Sequence, residues 1–440
     1  MPQGAETAVP RKRGQSPGHK SQAKQPEPSA SASSAQVSKD RDDEAFIEFR
    51  RSYLTAFLCG ASSDWLKGPY IYRFYESNGF QPEDITLLFA AGYVSSAGFG
   101  LLAGLMSDAL GRKRMCLAFC ALYMVHCALH VFTSFRALLL ARVISGVATS
   151  LLFSAFEAWM VAEHSKRFAS RKLAETFAMQ TQGNALAAVV AGMVAQAAVA
   201  VGGYGAPMVV AVPLLSYAAL EISKWPENVG CKRAGLVDVA FGVVATMDLA
   251  VARVGALQCL FEGSMHIFVF LWTPCLQRAS GGQEIPNGIV FSLYMVCMML
   301  GGRQALPSCR WQPSLGVIFL LAAVCLLMPS LSHGLWWNLA AFCGFEWCVG
   351  CYFPQIAVLR SEFLSEQTRS ATMTLFRVPF NCIVVAMLIW GRSMPPEAML
   401  RYAAAALAVG AGAFCTLPQK RTDAKLEGGQ GSSPSSGAGD

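Results

Sequence analysis

Charge is what this chain has least of. Only 14% of its 440 residues are Asp, Glu, Lys or Arg, against roughly 25% in soluble domains, while 54% are hydrophobic. So few charges cannot cover a water-exposed surface, which places the chain in lipid. Also missing are a phosphate-binding Gly-Lys-Ser loop, a His-Glu-x-x-His pair and a polar segment long enough to hold a nucleotide. Their absence argues against an enzyme and against direct use of ATP. The first 44 residues contain no apolar run and therefore no signal-peptide core. The 15 cysteines are scattered through apolar stretches, which reads as small packing residues rather than a disulfide framework. Cys348 and Cys351 have redox-like spacing inside such a stretch, and packing is again the reading. His126 and His130 share a helix face without a third ligand near them in sequence and are read as cavity or packing histidines, so neither metal nor cofactor is expected.

What is present is a series of apolar segments. A spanning helix needs about 20 such residues, and twelve fit, at about 52–75, 85–106, 115–134, 137–162, 176–200, 205–223, 253–276, 285–303, 315–331, 335–357, 371–391 and 398–416. The expected organisation is a disordered polar leader (1–44), a six-helix half (45–223), a linker (224–252), a second six-helix half (253–416) and a disordered tail (417–440). Basic residues fall in alternate loops, among them Arg112, Lys113, Arg114, Lys166, Arg167, Lys232 and Arg233. The positive-inside bias then puts both termini and the linker in the cytoplasm. These clusters account for the net charge of +7 without a nucleic-acid partner. The expected product is a monomeric, multi-pass, all-α protein of the bilayer. The plasma membrane is the first expectation, and a vacuolar or endomembrane site the main competitor.

Four acids interrupt the apolar segments: Asp64, Glu157, Glu262 and Glu346. A carboxylate at bilayer depth costs a few kcal/mol or more, so such residues face a polar cavity and mark an ion or substrate pathway. They fall in the first, fourth, seventh and tenth spans, the leading members of four three-helix units, as in transporters built from two parallel repeats. Their shared place suggests one cavity lined by all four.

The turn between the second and third spans, with Gly104, Asp108, Gly111, Arg112, Lys113 and Arg114, resembles the cytoplasmic loop of the major facilitator superfamily. A second match is Arg142 to Gly146. The resemblance implies a twelve-helix bundle of two six-helix halves in which Gly104, Asp108, Gly111 and Arg112 take part in gating. More specific stretches run from Ser63 through Asp64, Trp65, Lys67, Gly68 and Pro69 to Tyr70, from Leu152 to Trp159, and over Phe261, Glu262 and Phe268 to Pro274. Tyr352 to Pro354 and Phe376 to Pro379 complete the set. Together they resemble the molybdate-anion transporter branch over roughly residues 50–416, which implies alternating-access uptake of molybdate for molybdenum-cofactor synthesis. The drug antiporters of the superfamily would carry a Gly-Pro pair in the fifth span, and Gly183 to Val201 contains no proline.

A dianion among four carboxylates is a physical conflict, since like charges in a cavity of lowered dielectric repel by several kcal/mol. The acids must be protonated, paired with cations or removed from the binding point. Lys67, Arg73, Arg142, His266 and Arg377 are the candidate cations. Glu262 and His266 are four apart and share a helix face, which suits proton coupling. Arg142 and Glu157 lie about 22 Å apart along one helix and cannot pair. The expectation is that Arg377, with Lys67 or Arg142, meets the oxyanion, while Glu262 and Glu346 balance charge or bind protons. Pro69 after Gly68 should break the first span, where freed amides and the Tyr70 hydroxyl can face the cavity. A carrier of a sugar or organic cation, or a transporter-like nutrient sensor, are the alternatives.

Overall fold

The computed structural model describes residues 30–169, 171–229, 248–304, 312–332, 334–364 and 369–417, and all regular structure among them is helical. The chain divides into two compact units, Met1–Phe49 and Arg50–Asp440. In order the helices are α1 (Ala30–Lys67), α2 (Ile71–Ser77), α3 (Pro82–Leu110), α4 (Arg112–Leu129), α5 (Phe135–Arg167), α6 (Leu173–Gly202) and α7 (Ala206–Ser223). There follow α8 (Leu249–Ala279), α9 (Asn287–Gln304), α10 (Leu315–Leu331), α11 (Leu335–Phe363), α12 (Arg369–Gly391) and α13 (Pro396–Cys415). The latter part of α1 together with α2 forms the first span, and α3 to α13 are the other eleven in the expected order. The chain is an integral, multi-pass membrane protein. By length and composition alone, six of the described helices (α5, α6, α7, α8, α11 and α13) suffice to cross a bilayer.

One boundary differs from the sequence reading. Helix α1 begins at Ala30, inside the leader expected to be disordered. Ala30, Ala32 and Ala35, then Lys39, Arg41 and Glu44, are good helix formers even without an apolar face, which is the signal the hydropathy argument relied on. The expectations for residues 1–29, for 230–247 of the linker and for 418–440 fall outside the described residues.

Local chemistry explains where the helices start and stop. Ser134, Asp248 and Ser314 each accept a hydrogen bond from the backbone N–H three residues on, capping α5, α8 and α10. The first span breaks where proline removes a donor. Lys67 ends α1, the Gly68 and Tyr70 amides turn back onto Trp65 and Lys67 carbonyls, and α2 restarts at Ile71. At Gly111 the chain turns from α3 into α4 with φ of +104°, and a Cβ there would lie 2.7 Å from the Glu227 carboxyl carbon. Only glycine satisfies both conditions.

The two halves repeat one packing scheme. Helix α5 packs on α3 and α4, and α4 on α7; in the second half α11 packs on α9 and α10, and α10 on α13. Each half has its own aromatic anchor: Trp159 stacks on Trp225 at 3.9 Å, and Phe261 on Tyr352 at 3.9 Å. Such pairs add about 0.5–1.5 kcal/mol beyond burial. Leu186, Val209, Val324 and Trp336 are exposed, as side chains that meet lipid must be. Thirteen cysteines among the described residues are free thiols.

Contact between the halves runs through α6 with α9 and α3 with α12, two pairs related by the repeat. At the α6–α9 crossing a Cβ on Gly192 would lie 2.7 Å from the Gly288 carbonyl oxygen, so the two backbones touch. Tyr70 donates to the Gln196 side chain (2.6 Å), whose oxygen accepts from Gly288 N–H (3.2 Å). Nearby, Phe270 of α8 meets Tyr72 and Phe89 edge-on, at 5.8 and 5.0 Å. The α6–α9 crossing and the Phe270 contacts lie toward the ends away from the basic turn at Gly111.

Candidate functional site

The break in the first span sets Asp64 and Lys67 on the last turn of α1, where their side chains can meet helices α4 and α5. Lys67 Nζ is 2.7 Å from Asp64 Oδ1 and donates to Ser145 Oγ at 2.9 Å. Tyr123 on α4 donates to the same Asp64 oxygen at 2.9 Å, and Lys67 Nζ also stands 4.7 Å from the Tyr123 ring centre. The Asp64 and Lys67 side chains retain 21% and 12% of their exposure, so the pair is partly accessible and not sealed. The first acid is therefore paired with a cation, one of the three ways out of the charge conflict.

Arg142 is buried on α5. Its Nε donates to the Leu88 carbonyl at 3.2 Å, its guanidinium carbon lies 4.4 Å from the Phe89 ring centre, and it lies against Gly92 of α3. No carboxylate pairs with it among the described residues. Lys67 and Arg142 against Asp64 leave this half with one positive charge in excess at its centre. Amide side chains of α6 meet α1 at two depths. Asn184 accepts from Trp65 Nε1 (3.0 Å) and Gln180 from the Tyr53 hydroxyl (2.7 Å).

The other acids have separate surroundings. Glu157 is exposed on α5. Glu262 on α8 accepts from the Tyr352 hydroxyl at 3.4 Å. Glu346 is 5% exposed on α11, and none of the described residues gives it a hydrogen bond or ion pair. His266 is joined to Glu262 through the backbone, its Nδ1 lying 2.7 Å from the Glu262 carbonyl, and its ring bridges Tyr93 of α3 (5.4 Å) and Phe380 of α12 (5.0 Å). Arg377 is on α12, but its side chain lies outside the described residues. Of the nine proposed substrate or coupling residues, Asp64 and Lys67 pair directly through their side chains, and Tyr70 serves the α6–α9 crossing.

The expected gating turn is locked within its own half. Asp108 and Arg112 form an ion pair at 2.6 Å. Glu227, which the sequence reading missed, accepts from the Lys113 amide at 2.9 Å and stands 3.7 Å from Arg114 Nε. Lys113 Nζ donates to the Ser223 carbonyl (2.7 Å), and Arg112 N–H to the Asn228 carbonyl (3.0 Å). Trp159 Nε1 donates to the Pro226 carbonyl at 3.0 Å and fixes the same corner to α5. The run of Pro226, Glu227 and Asn228 after an apolar helix was the only available sign of this clamp. Gly104 is on α3, with its surroundings outside the described residues.

Similarity to known proteins agrees with this geometry. A family described as sugar transporters with 12 TM matches residues 30–341. The molybdate-anion transporter of Xenopus tropicalis is 31% identical over 77% of this chain and 78% of its own length. That of Takifugu rubripes is 30% identical over 88% and 91%. Among solved structures, the nucleoside transporter NupG (D323A mutant) superposes with a TM-score of 0.64, covering 84% of this chain and 99% of that one at 14% identity. The peptide transporter POT in complex with sulfate gives 0.65 over 82% and 92% at 13% identity. Those two likenesses carry the fold. With twelve spans in two repeated halves, a match over most of the chain and relatives at this identity, the chain belongs to the major facilitator family of transporters, in the group that includes the vertebrate molybdate-anion transporters.

Proposed function

We propose that this chain carries molybdate across its membrane by alternating access, toward the cytosol. The carrying observation is the cationic excess at the centre of the first half: Lys67 is paired with Asp64, and Arg142 has no carboxylate beside it among the described residues. A tetrahedral dianion finds there two cations plus the Ser145 and Tyr123 hydroxyls. The acids of the second half, Glu262 and Glu346, supply charge balance or bind protons in this reading. Arg377 is the third proposed anion contact, from α12.

The positive-inside bias puts both termini and the turn at Gly111 in the cytoplasm. The α6–α9 crossing and the Phe270 contacts then lie on the outer side, which supports reading the described conformation as inward-facing. The clamp of Arg112, Lys113 and Arg114 to the end of α7 belongs to that state. We place the carrier in the plasma membrane, as a monomer, with protons as the coupling ion.

A sugar is the second reading, supported by the description of the matching family and by the amide and hydroxyl groups of Asn184, Gln180 and Tyr53. Uptake of labelled molybdate by cells without their own carrier separates the two. Saturable uptake blocked by tungstate and stimulated by external acid is expected, with Arg142→Gln and Arg377→Gln inactive but normally delivered to the membrane. Surface-expressed protein with no uptake would overturn the molybdate reading, and normal uptake by either variant would remove that arginine from the site.

A further inference from the structure

Directly behind Lys67 and Arg142 lies a histidine that the transport reading does not use. His126 on α4 is completely buried. Its Nδ1 is 2.8 Å from the Ala141 carbonyl, which can only accept, so Nδ1 carries the ring proton and Nε2 presents a bare lone pair. Nε2 is buried and has no hydrogen-bond partner among the described residues. Buried polar atoms are nearly always partnered, so this empty lone pair requires a reason.

Its neighbour His130 lacks that property. His130 Nδ1 donates to the His126 carbonyl at 2.8 Å, and its Nε2 faces the Tyr75 hydroxyl at 3.5 Å. The two rings are 4.5 Å apart. The Tyr123 ring lies 5.1 Å from His126 and connects it to Asp64 and Lys67, while Ala141 places it one residue from Arg142. The charged and titratable groups facing this corner are Asp64 and Lys67 from α1, Tyr75 from α2, Tyr93 from α3, Tyr123, Cys127 and His130 from α4, and Arg142 from α5. Helix α7, which also packs on α4, has only Tyr217, which is half-exposed, and Glu221, which pairs with Lys224.

The sign of the local charge makes this arrangement conditional. With the centre empty, Lys67 and Arg142 exceed Asp64 by one positive charge, and a proton on Nε2 would add another. A dianion held by those two cations turns the excess into one negative charge, and a proton on Nε2 then completes a neutral set. We propose that His126 Nε2 is a proton-binding site filled when an oxyanion occupies the Lys67 and Arg142 centre, so that each anion brings one proton with it. Water on the outer side supplies the proton, imidazole becomes imidazolium, and departure of the anion to the cytosol releases it. Linkage requires the converse as well, that protonation tightens anion binding by the same factor. The inference rests on the oxyanion reading above.

The test is calorimetric titration of the purified full chain in lipid nanodiscs with sodium molybdate, in two buffers of different ionisation enthalpy at about pH 7.5, above the range where free imidazole charges. The difference in heat counts protons absorbed per anion. The wild type should absorb about one, as the linkage demands. His126→Asn keeps an N–H where Nδ1 stood but deletes Nε2; it should bind molybdate while absorbing none. His130→Asn should absorb as the wild type does. Binding by the wild type with no proton absorbed overturns the inference even if His126→Asn fails to fold, and so does undiminished absorption by that variant. A wild type that binds neither molybdate nor tungstate overturns the oxyanion reading and the inference with it.

Discussion

Lys67 is held by Asp64 and Ser145, and an anion arriving at the proposed site would have to share it. Removing one member of such a partly buried pair leaves the other uncompensated, at a cost of about 3–5 kcal/mol when the site is well desolvated. Lys67→Met should therefore abolish molybdate uptake and lower the thermal unfolding midpoint in detergent by more than the double variant with Asp64→Asn does. A double variant as unstable as the single would mean that the pair is not the source of the loss. Tyr352→Phe removes only a 3.4 Å hydrogen bond to Glu262. It should reduce stability by about 1 kcal/mol or less, with delivery to the membrane unchanged on a surface-biotinylation assay. At this scale the sequence was partly legible. Asp64 and Lys67 are three apart on a helix and could be paired on paper. Tyr123 and Ser145 lie 59 and 78 residues from their partners, on other helices, and no periodicity announces such contacts.

Helices α6 and α9 meet through Gly192 and Gly288, and any side chain there must push them apart. Gly288→Val should hold the outer end open: labelling of a cysteine at Gln196 by a membrane-impermeant reagent should rise several-fold over the parent while uptake falls. Unchanged labelling would show that the crossing tolerates the added volume. On the opposite end, Glu227→Gln removes the charge that holds Lys113 and Arg114, and trypsin should cut after Arg112 to Arg114 faster in inside-out vesicles. The helices themselves were readable because lipid forces every apolar run to satisfy its own backbone. The break at Gly68 and Pro69 was readable from proline chemistry. The start of α1 at Ala30 was not, since hydropathy is silent on polar helices, and neither was the clamp at Glu227, whose partners belong to a different loop.

For the molecule as a whole, charge movement sets a condition on coupling. Each elementary charge crossing the membrane costs about 2.3 kcal/mol per 100 mV. A dianion escorted by one proton at His126 still carries a negative charge into a cell that is negative inside. A second proton on a carboxyl of the other half removes that burden, and Glu346, buried without a partner among the described residues, is the natural seat. Glu346→Gln proteoliposomes should take up molybdate with a strong dependence on an imposed potassium diffusion potential, whereas the wild type should show little. Equal dependence in both would exclude Glu346 as that seat.

The stacked indoles of Trp159 and Trp225, 3.9 Å apart with rings 19° from parallel, have an optical consequence. Two chromophores that close share their excitation, so the protein should show an excitonic couplet in its circular dichroism, lost in Trp225→Phe. Trp225 sits beside the residues that clamp the basic turn, so a state that opens the clamp is expected to separate the rings. The couplet's amplitude is then a label-free clock for the carrier's turnover, readable in solution while substrate is added.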